Sequence, residues 1–260
     1  MSGSWRHPGR IGAVIYAVLG VVFGGLVGLT SRLQVARQRG RTAVVRQLPE
    51  GAIIVISNHT SYADGVLLAL ACRRQGRSLR LLATAGVFRV PVLGWLGRRL
   101  GFVPVARGSK DAAASLDAAA EALSHGEAVG LYPEGRLTRD PAMWPERAKT
   151  GAVRLALRSG APIVPVAMVG AHEVVGRRRI LVQLVVNLVR RPRVDVSIGE
   201  PIDALALAGG RADVPPEIVR TIADTMMGEL IALVAELRGE APEHPTGVPH
   251  TEPTDSASPQ

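Results

Sequence analysis

Between residues 52 and 169, short β-branched apolar runs alternate with longer helical stretches, and this alternation restricts the possible folds more than any other feature of the chain. Ala52-Ile53-Ile54-Val55-Ile56-Ser57 is continuously apolar rather than alternating, as a buried strand is. Further strands are expected at 79–83, 101–105, 128–132 and 162–169, and helices at 64–74, 110–125 and 148–159. Strands separated by helices build an α/β sheet, and in open sheets of this kind ligands bind beyond the carboxyl ends of the strands. Residues 193–198 then alternate as a strand does, ended by Gly199 and Pro201. Residues 215–238 carry Ile218, Ile222, Met226, Leu230, Leu233 and Leu237 at helical spacing, with Pro215 and Pro216 at the start, where proline is tolerated. A chain of 260 residues is long enough for one such domain with short appendages.

Residues 11–29 contain no charge. As a helix they extend about 28 Å, close to the hydrocarbon thickness of a bilayer. Arg6 and Arg10 precede the run; Arg32, Arg37, Arg39, Arg41 and Arg46 follow it. The heavier positive flank predicts that the main domain lies in the cytoplasm, at the cell membrane. Spanning the bilayer and lying in one leaflet both fit this length. Gly20, Gly24 and Gly28 share one face at a spacing that permits close helix contact. Residues 87–100 combine Phe88, Leu93, Trp95 and Leu96 with Arg89, Arg98 and Arg99, which suits an interfacial segment on anionic membrane or a packed connection with a basic edge. Residues 180–189 are uncharged and mostly apolar between Arg177, Arg178 and Arg179 on one side and Arg190, Arg191 and Arg193 on the other. Too short to span as a helix, they read as a strand or as a helix dipping into a surface. The expected organisation is an N-terminal membrane anchor over 1–47, a domain over 48–238 and a disordered proline-rich tail over 239–260.

The formal charge of +9 suits anionic lipid, phosphorylated substrates or nucleic acid. Aromatics make up 3% of the chain and none are interleaved with basic residues as a base-stacking surface requires, so nucleic acid is not an expected partner. Cys72 is the single cysteine and lies in a helical Ala/Leu stretch, which reads as a small core residue. His125 and His172 have no metal-ligand spacing with His59, and no metal is expected.

The segment directly after the first buried run reads Asn58-His59-Thr60-Ser61-Tyr62-Ala63-Asp64. It falls where a strand ends and a helix begins. A histidine with a nearby carboxylate is what activation of a hydroxyl needs: the imidazole takes the proton, and the carboxylate fixes the tautomer and stabilises the imidazolium. No Gly-x-Ser-x-Gly elbow occurs, so a serine acyl-enzyme is not expected, and Ser61 reads as a loop or helix-capping residue.

Three further blocks follow in order: Gly101-Phe102-Val103-Pro104-Val105-Ala106-Arg107, then Leu131-Tyr132-Pro133-Glu134-Gly135-Arg136, then Ala161-Pro162-Ile163-Val164-Pro165-Val166. With the first block they resemble the glycerolipid acyltransferase family, whose best-known type is the 1-acyl-sn-glycerol-3-phosphate acyltransferase, over roughly residues 50 to 200. Asn58, His59, Ser61 and Asp64 occupy every fixed position of the family's first motif. The third block departs after Pro-Glu-Gly: the family commonly continues Thr-Arg-Ser, whereas this chain has Arg136-Leu137-Thr138, so its arginine stands one place early.

The resemblance implies a single mixed-sheet α/β acyltransferase domain with flanking helices, besides the N-terminal membrane-inserting helix. It implies transfer of a fatty acyl group from acyl-CoA or acyl carrier protein to the sn-2 hydroxyl of a lysophosphatidate in phospholipid synthesis, with no cofactor beyond the thioester substrate. His59 and Asp64 would be the base dyad; Arg107, Glu134, Gly135 and Arg136 would bind the acceptor, with Arg139 as an alternative to Arg136. Other acceptors, such as glycerol-3-phosphate, a lysophospholipid or a glycolipid, share this chemistry. A non-catalytic lipid-binding protein of the same fold would retain the surface without needing the dyad.

Overall fold

The computed structural model describes residues 5–36, 47–105, 111–176 and 180–242. Arg107, the disordered stretch expected over most of 239–260, and Arg177 to Arg179 lie outside them. The chain opens with helix α1 (Gly9–Thr30) and strand β1 (Arg32–Ala36), then β2 (Ile53–Ser57), α2 (Asp64–Arg74) and β3 (Leu79–Thr84). Next come α3 (Ala85–Arg89), α4 (Pro91–Arg99), β4 (Val103–Val105), α5 (Asp111–Ser124), β5 (Ala128–Leu131), α6 (Gly151–Ser159) and β6 (Ile163–Val169). The last elements are α7 (Ala171–Val174), α8 (Ile180–Arg190), β7 (Arg193–Ile198), α9 (Ala204–Leu207) and α10 (Pro216–Arg238).

The strands form one seven-stranded mixed sheet in the order β1-β7-β6-β2-β5-β3-β4. β6, β2, β5, β3 and β4 run parallel; β7 runs against β6, and β1 runs with β7. β2 lies at the centre, which explains its unbroken apolar run: Ile53, Ile54, Val55 and Ile56 are all fully buried because helices cover both faces. α5, α6 and α10 pack on the face that Ile54 and Ile56 enter. α1, α2 and α7 pack on the face of Ile53 and Val55.

One stretch differs from the sequence expectation. Residues 32–36, placed with the anchor, pair as β1 along β7 and extend the sheet, with Leu33 turned into the core. The boundary drawn at residue 47 therefore cuts through the sheet, because β7 offers an open edge that this short alternating segment satisfies. Residues 180–190, which the sequence leaves as a strand or a helix, are a helix. Helix α1 lies lengthwise on the domain. Gly12 sits against the Arg99 carbonyl and Gly20 against the Arg73 side chain, so of the three glycines with shared spacing only Gly20 is closely approached. The Tyr16 hydroxyl accepts the Leu79 N–H at 2.9 Å, and the Trp5 indole donates to the Gly101 carbonyl at 2.9 Å.

Candidate active site

The register of the two central strands assembles the site. Ile56 of β2 is opposite Leu131 of β5, and both chains emerge at the carboxyl edge of the sheet. His59 and Tyr132 follow them and stack ring on ring, with centroids 4.0 Å apart and planes within 12°. Asn58 fixes the start of the loop from the other neighbour: its amide donates to the Met168 carbonyl and accepts the Met168 N–H, each at 2.8 Å. Both ends of a buried amide are thereby satisfied by β6.

Asp64 begins α2 and is 1% exposed. One of its oxygens, Oδ2, accepts three donors: the Thr60 N–H at 2.6 Å, the Ser61 N–H at 2.8 Å and His59 Nδ1 at 2.9 Å. The five-residue spacing thus closes a tight loop in which the carboxylate organises the backbone and the imidazole together. With Nδ1–H directed at Asp64, the lone pair of the neutral ring is on Nε2. The His59 side chain retains 19% exposure, so the ring is reachable from outside. Ser61 is spoken for: its hydroxyl donates to the Val175 carbonyl at 2.5 Å and accepts the Ala63 N–H at 3.0 Å. It is a loop residue; the position before α2 belongs to Ala63.

Glu134 is 4% exposed and spans two segments. Oε1 accepts the His59 N–H at 3.2 Å and Oε2 accepts the Glu146 N–H at 3.1 Å. Burial pushes its carboxyl up to about 8, with the two backbone donors acting in the opposite direction. Gly135 has φ +71°, which lets the Pro-Glu-Gly turn reverse with the Lys149 side chain close by. Thr138 N–H donates to the His59 carbonyl at 2.7 Å, a second tie between the two blocks. Arg136 is exposed and pairs with Glu146 at 3.1 Å, while the Arg139 N–H donates to the same carboxylate at 3.0 Å. The carboxylate that anchors Arg136 is Glu146.

His59, Asp64, Glu134 and Gly135 are therefore brought together, and Arg136 joins them through Glu146. Two participants were not singled out from the sequence. Tyr132 stands first in the Tyr-Pro-Glu-Gly run, so its place after a strand could have marked it. Glu146 lies in an irregular stretch with no periodicity and gave no signal. Cys72 is 1% exposed, and burial pushes its thiol up to about 12, which leaves it inert as a nucleophile. A histidine hydrogen-bonded to a buried carboxylate on a reachable loop, with its backbone held by Glu134, has the geometry to accept a proton from a hydroxyl.

The family model described as Acyltransferase matches residues 37–169. A chloroplastic 1-acyl-sn-glycerol-3-phosphate acyltransferase of Brassica napus is 31% identical over 123 residues, 46% of this chain and 34% of that protein. A lyso-ornithine lipid O-acyltransferase of Pseudomonas aeruginosa is 31% identical over 123 residues, 47% of this chain and 45% of that protein. The matched stretches thus span well under two thirds of these curated relatives. The crystal structure of the 1-acyl-sn-glycerophosphate acyltransferase PlsC from Thermotoga maritima superposes with a TM-score of 0.62 at 20% identity, over 91% of this chain and 83% of that one. At that identity the likeness is one of fold.

Proposed function

Because the chain belongs to the acyltransferase family, we propose that it moves a fatty acyl group from a thioester donor, acyl-CoA or acyl carrier protein, to the sn-2 hydroxyl of 1-acyl-glycerol-3-phosphate. The observation that carries the chemistry is the His59 Nδ1 to Asp64 Oδ2 hydrogen bond of 2.9 Å, which leaves Nε2 as the acceptor of a proton. The acceptor hydroxyl gives its proton to Nε2 as its oxygen attacks the thioester carbonyl. Asp64 stabilises the imidazolium that forms. The tetrahedral intermediate collapses by breaking the C–S bond, and the departing sulfur takes the proton back from Nε2. An ester and a free thiol result, and no covalent enzyme intermediate is needed. Glu134 keeps the His59 backbone in place through the N–H it accepts, and Gly135 shapes the turn. Arg107 and Arg136 are the proposed holders of the acceptor phosphate, since a guanidinium fork meets two phosphate oxygens at once. The insolubility of such acceptors fits a chain held at the cell membrane by α1, with its heavier basic flank and its domain on the cytoplasmic side.

The displaced arginine in the third block leaves room for a second acceptor class with the same chemistry, and the lyso-ornithine lipid acyltransferase named among the relatives keeps such acceptors in view. Full-length protein incubated with one acyl-CoA and a panel of lysophosphatidate, glycerol-3-phosphate, a lysophospholipid and a lyso-aminolipid, with products read by mass spectrometry, decides among them. Phosphatidate as the dominant product supports the first acceptor. Acylation of another member reassigns the acceptor. No product that depends on His59 with any of them, across acyl-CoA and acyl carrier protein donors, would leave a lipid-binding role instead.

A further inference from the structure

Helix α8 is built inside out. Its two polar residues within the helix, Gln183 and Asn187, are one turn apart and both face the protein. Gln183 donates to the Glu173 carbonyl at 2.8 Å and accepts the Gly176 N–H at 2.7 Å, and Asn187 donates to the Glu173 and Val174 carbonyls at 2.8 and 3.0 Å. Those contacts satisfy the carbonyl end of α7, which a helix terminus otherwise leaves open. The aliphatic side chains point the other way: Leu181 is 78% exposed, Val185 66% and Val189 88%. In water this arrangement leaves a contiguous apolar stripe on the surface, which soluble proteins rarely tolerate unless something covers it.

Three observations point to lipid as the cover. First, α8 packs beside α1, and the Arg191 guanidinium donates to the Gly28 carbonyl at 2.6 Å. The outward residues of α1, including Val14, Val18, Val21 and Leu29, are exposed as well, so the two helices present one continuous apolar face. Second, arginines fringe that face: Arg190 and Arg191 at the end of α8, Arg193 at the start of β7, and Arg32 just beyond α1, are all exposed. An apolar face fringed by cations complements anionic headgroups above acyl chains. Third, eleven residues of helix reach about 16 Å, roughly half the hydrocarbon thickness, so the helix lies in the interface and does not cross it.

We propose that α8 is a second membrane-inserting element, which seats beside α1 in one leaflet of an anionic bilayer and holds the carboxyl edge of the sheet against the lipid. The link to the site is short. Val175, between α7 and α8, accepts the Ser61 hydroxyl, so the segment leading into α8 is bonded to the loop that carries His59. The proposal does not depend on which acceptor is acylated, nor on acyl transfer itself.

The test uses full-length protein purified in detergent and diluted onto vesicles of phosphatidylcholine with or without phosphatidylglycerol. Val185→Cys is labelled with an environment-sensitive fluorophore; the buried Cys72 does not compete for the label. Leu207→Cys, at an exposed position of α9 on the opposite face of the sheet, is the control. The label at position 185 should shift to the blue on phosphatidylglycerol vesicles and be quenched by lipids carrying a nitroxide on the acyl chain, while the control stays unchanged. A Val185→Glu, Val189→Glu double variant, with unaltered circular dichroism, should lower the vesicle partition coefficient at least tenfold; Leu207→Glu should not. An unshifted, unquenched label at 185 on vesicles that bind the protein would overturn the proposal. A blue shift that appears without lipid and grows with protein concentration would also overturn it, since a second copy would then be the cover.

Discussion

Asp64 carries more of the site than a dyad partner needs to, because the same oxygen holds two backbone N–H groups and the imidazole. His59→Ala should therefore lower kcat by about 10²–10⁴-fold, the usual range for general-base catalysis. Asp64→Asn should lower it strongly in a folded protein, and the double variant should be little worse than His59→Ala alone, since the two act as a unit. Asp64→Ala should also lower Tm, because three donors lose their acceptor. Kinetics and thermal melts of the four variants check this; near-normal turnover by a folded His59→Ala protein would remove the base from the mechanism. Tyr132 separates stacking from hydrogen bonding. Its hydroxyl is buried without a partner among the described residues, while its ring lies on the imidazole. Tyr132→Phe should keep activity within about twofold and hold or raise Tm, as removing an unpaired buried hydroxyl does. Tyr132→Ala should lower both. Equal losses in the two variants would mean that the hydroxyl, not the ring, matters. Glu134 gives a pH signature. Its carboxyl is raised from 4.5 to about 8 by burial, so between those values the folded chain holds a proton that the unfolded chain has released. The stability it contributes is fully present below about 4.5 and is lost as pH rises through about 8. The Tm difference between wild type and Glu134→Gln, followed from pH 5 to 9, should shift against the wild type as pH climbs; a difference that is flat or moves the other way would contradict the raised carboxyl.

The turn between β6 and α7 sets where α8 begins, and it depends on one residue. Gly170 has φ +90°, and a Cβ there would lie 2.2 Å from the Arg193 carbonyl oxygen. Gly170→Ala should destabilise the fold by roughly 1–3 kcal/mol from backbone strain, with more from the clash, since neither neighbour is a flexible side-chain tip. Denaturant melts would register it; an unchanged midpoint would mean that the turn can relax. What the sequence made legible at this scale follows from the strength of the local pattern. β2, β5 and β6 are continuous apolar runs because both faces are covered, and α2 falls over 64–74 as its spacing predicts. β1 was hidden because Arg32-Leu33-Gln34-Val35-Ala36 is short, lies amid arginines and gains meaning only from the open edge of β7. α8 was ambiguous for a related reason: its apolar residues face outward, so no buried partner disciplines their period, and strand and helix fit equally well. α7 and α9 are single turns of four residues, below what periodicity resolves. At the site, the strand-to-helix junction marked His59 and Asp64 at once. Glu146 was invisible because its role arises from a coil that folds back over Glu134.

The whole molecule joins two forces that respond differently to salt. The formal charge is +9, and exposed arginines fringe an outward face made of α1 and α8. A further apolar group stands on α4, where Val92, Leu93 and Trp95 are exposed, next to the exposed Arg98 and Arg99. Each cation near an anionic surface is worth about 1 kcal/mol, and that attraction fades within a screening length of about 10 Å at 0.1 M salt and 3 Å at 1 M. Apolar insertion is not screened and strengthens slightly under salts that are excluded from surfaces. Binding to phosphatidylglycerol vesicles should therefore fall by one to two orders of magnitude as salt rises from about 0.1 to 1 M, and then level off. The plateau should equal the affinity for neutral phosphatidylcholine vesicles, which should itself barely depend on salt. High salt alone should not strip the full-length protein from membranes, and detergent should. Flotation across a salt series on the two vesicle types reads both components in one experiment. Complete release at high salt would mean that the apolar face stays out of the bilayer and that the arginines alone hold the protein there. Salt-independent binding to both vesicle types would mean that the charge is a property of the soluble face, with no part in seating the molecule.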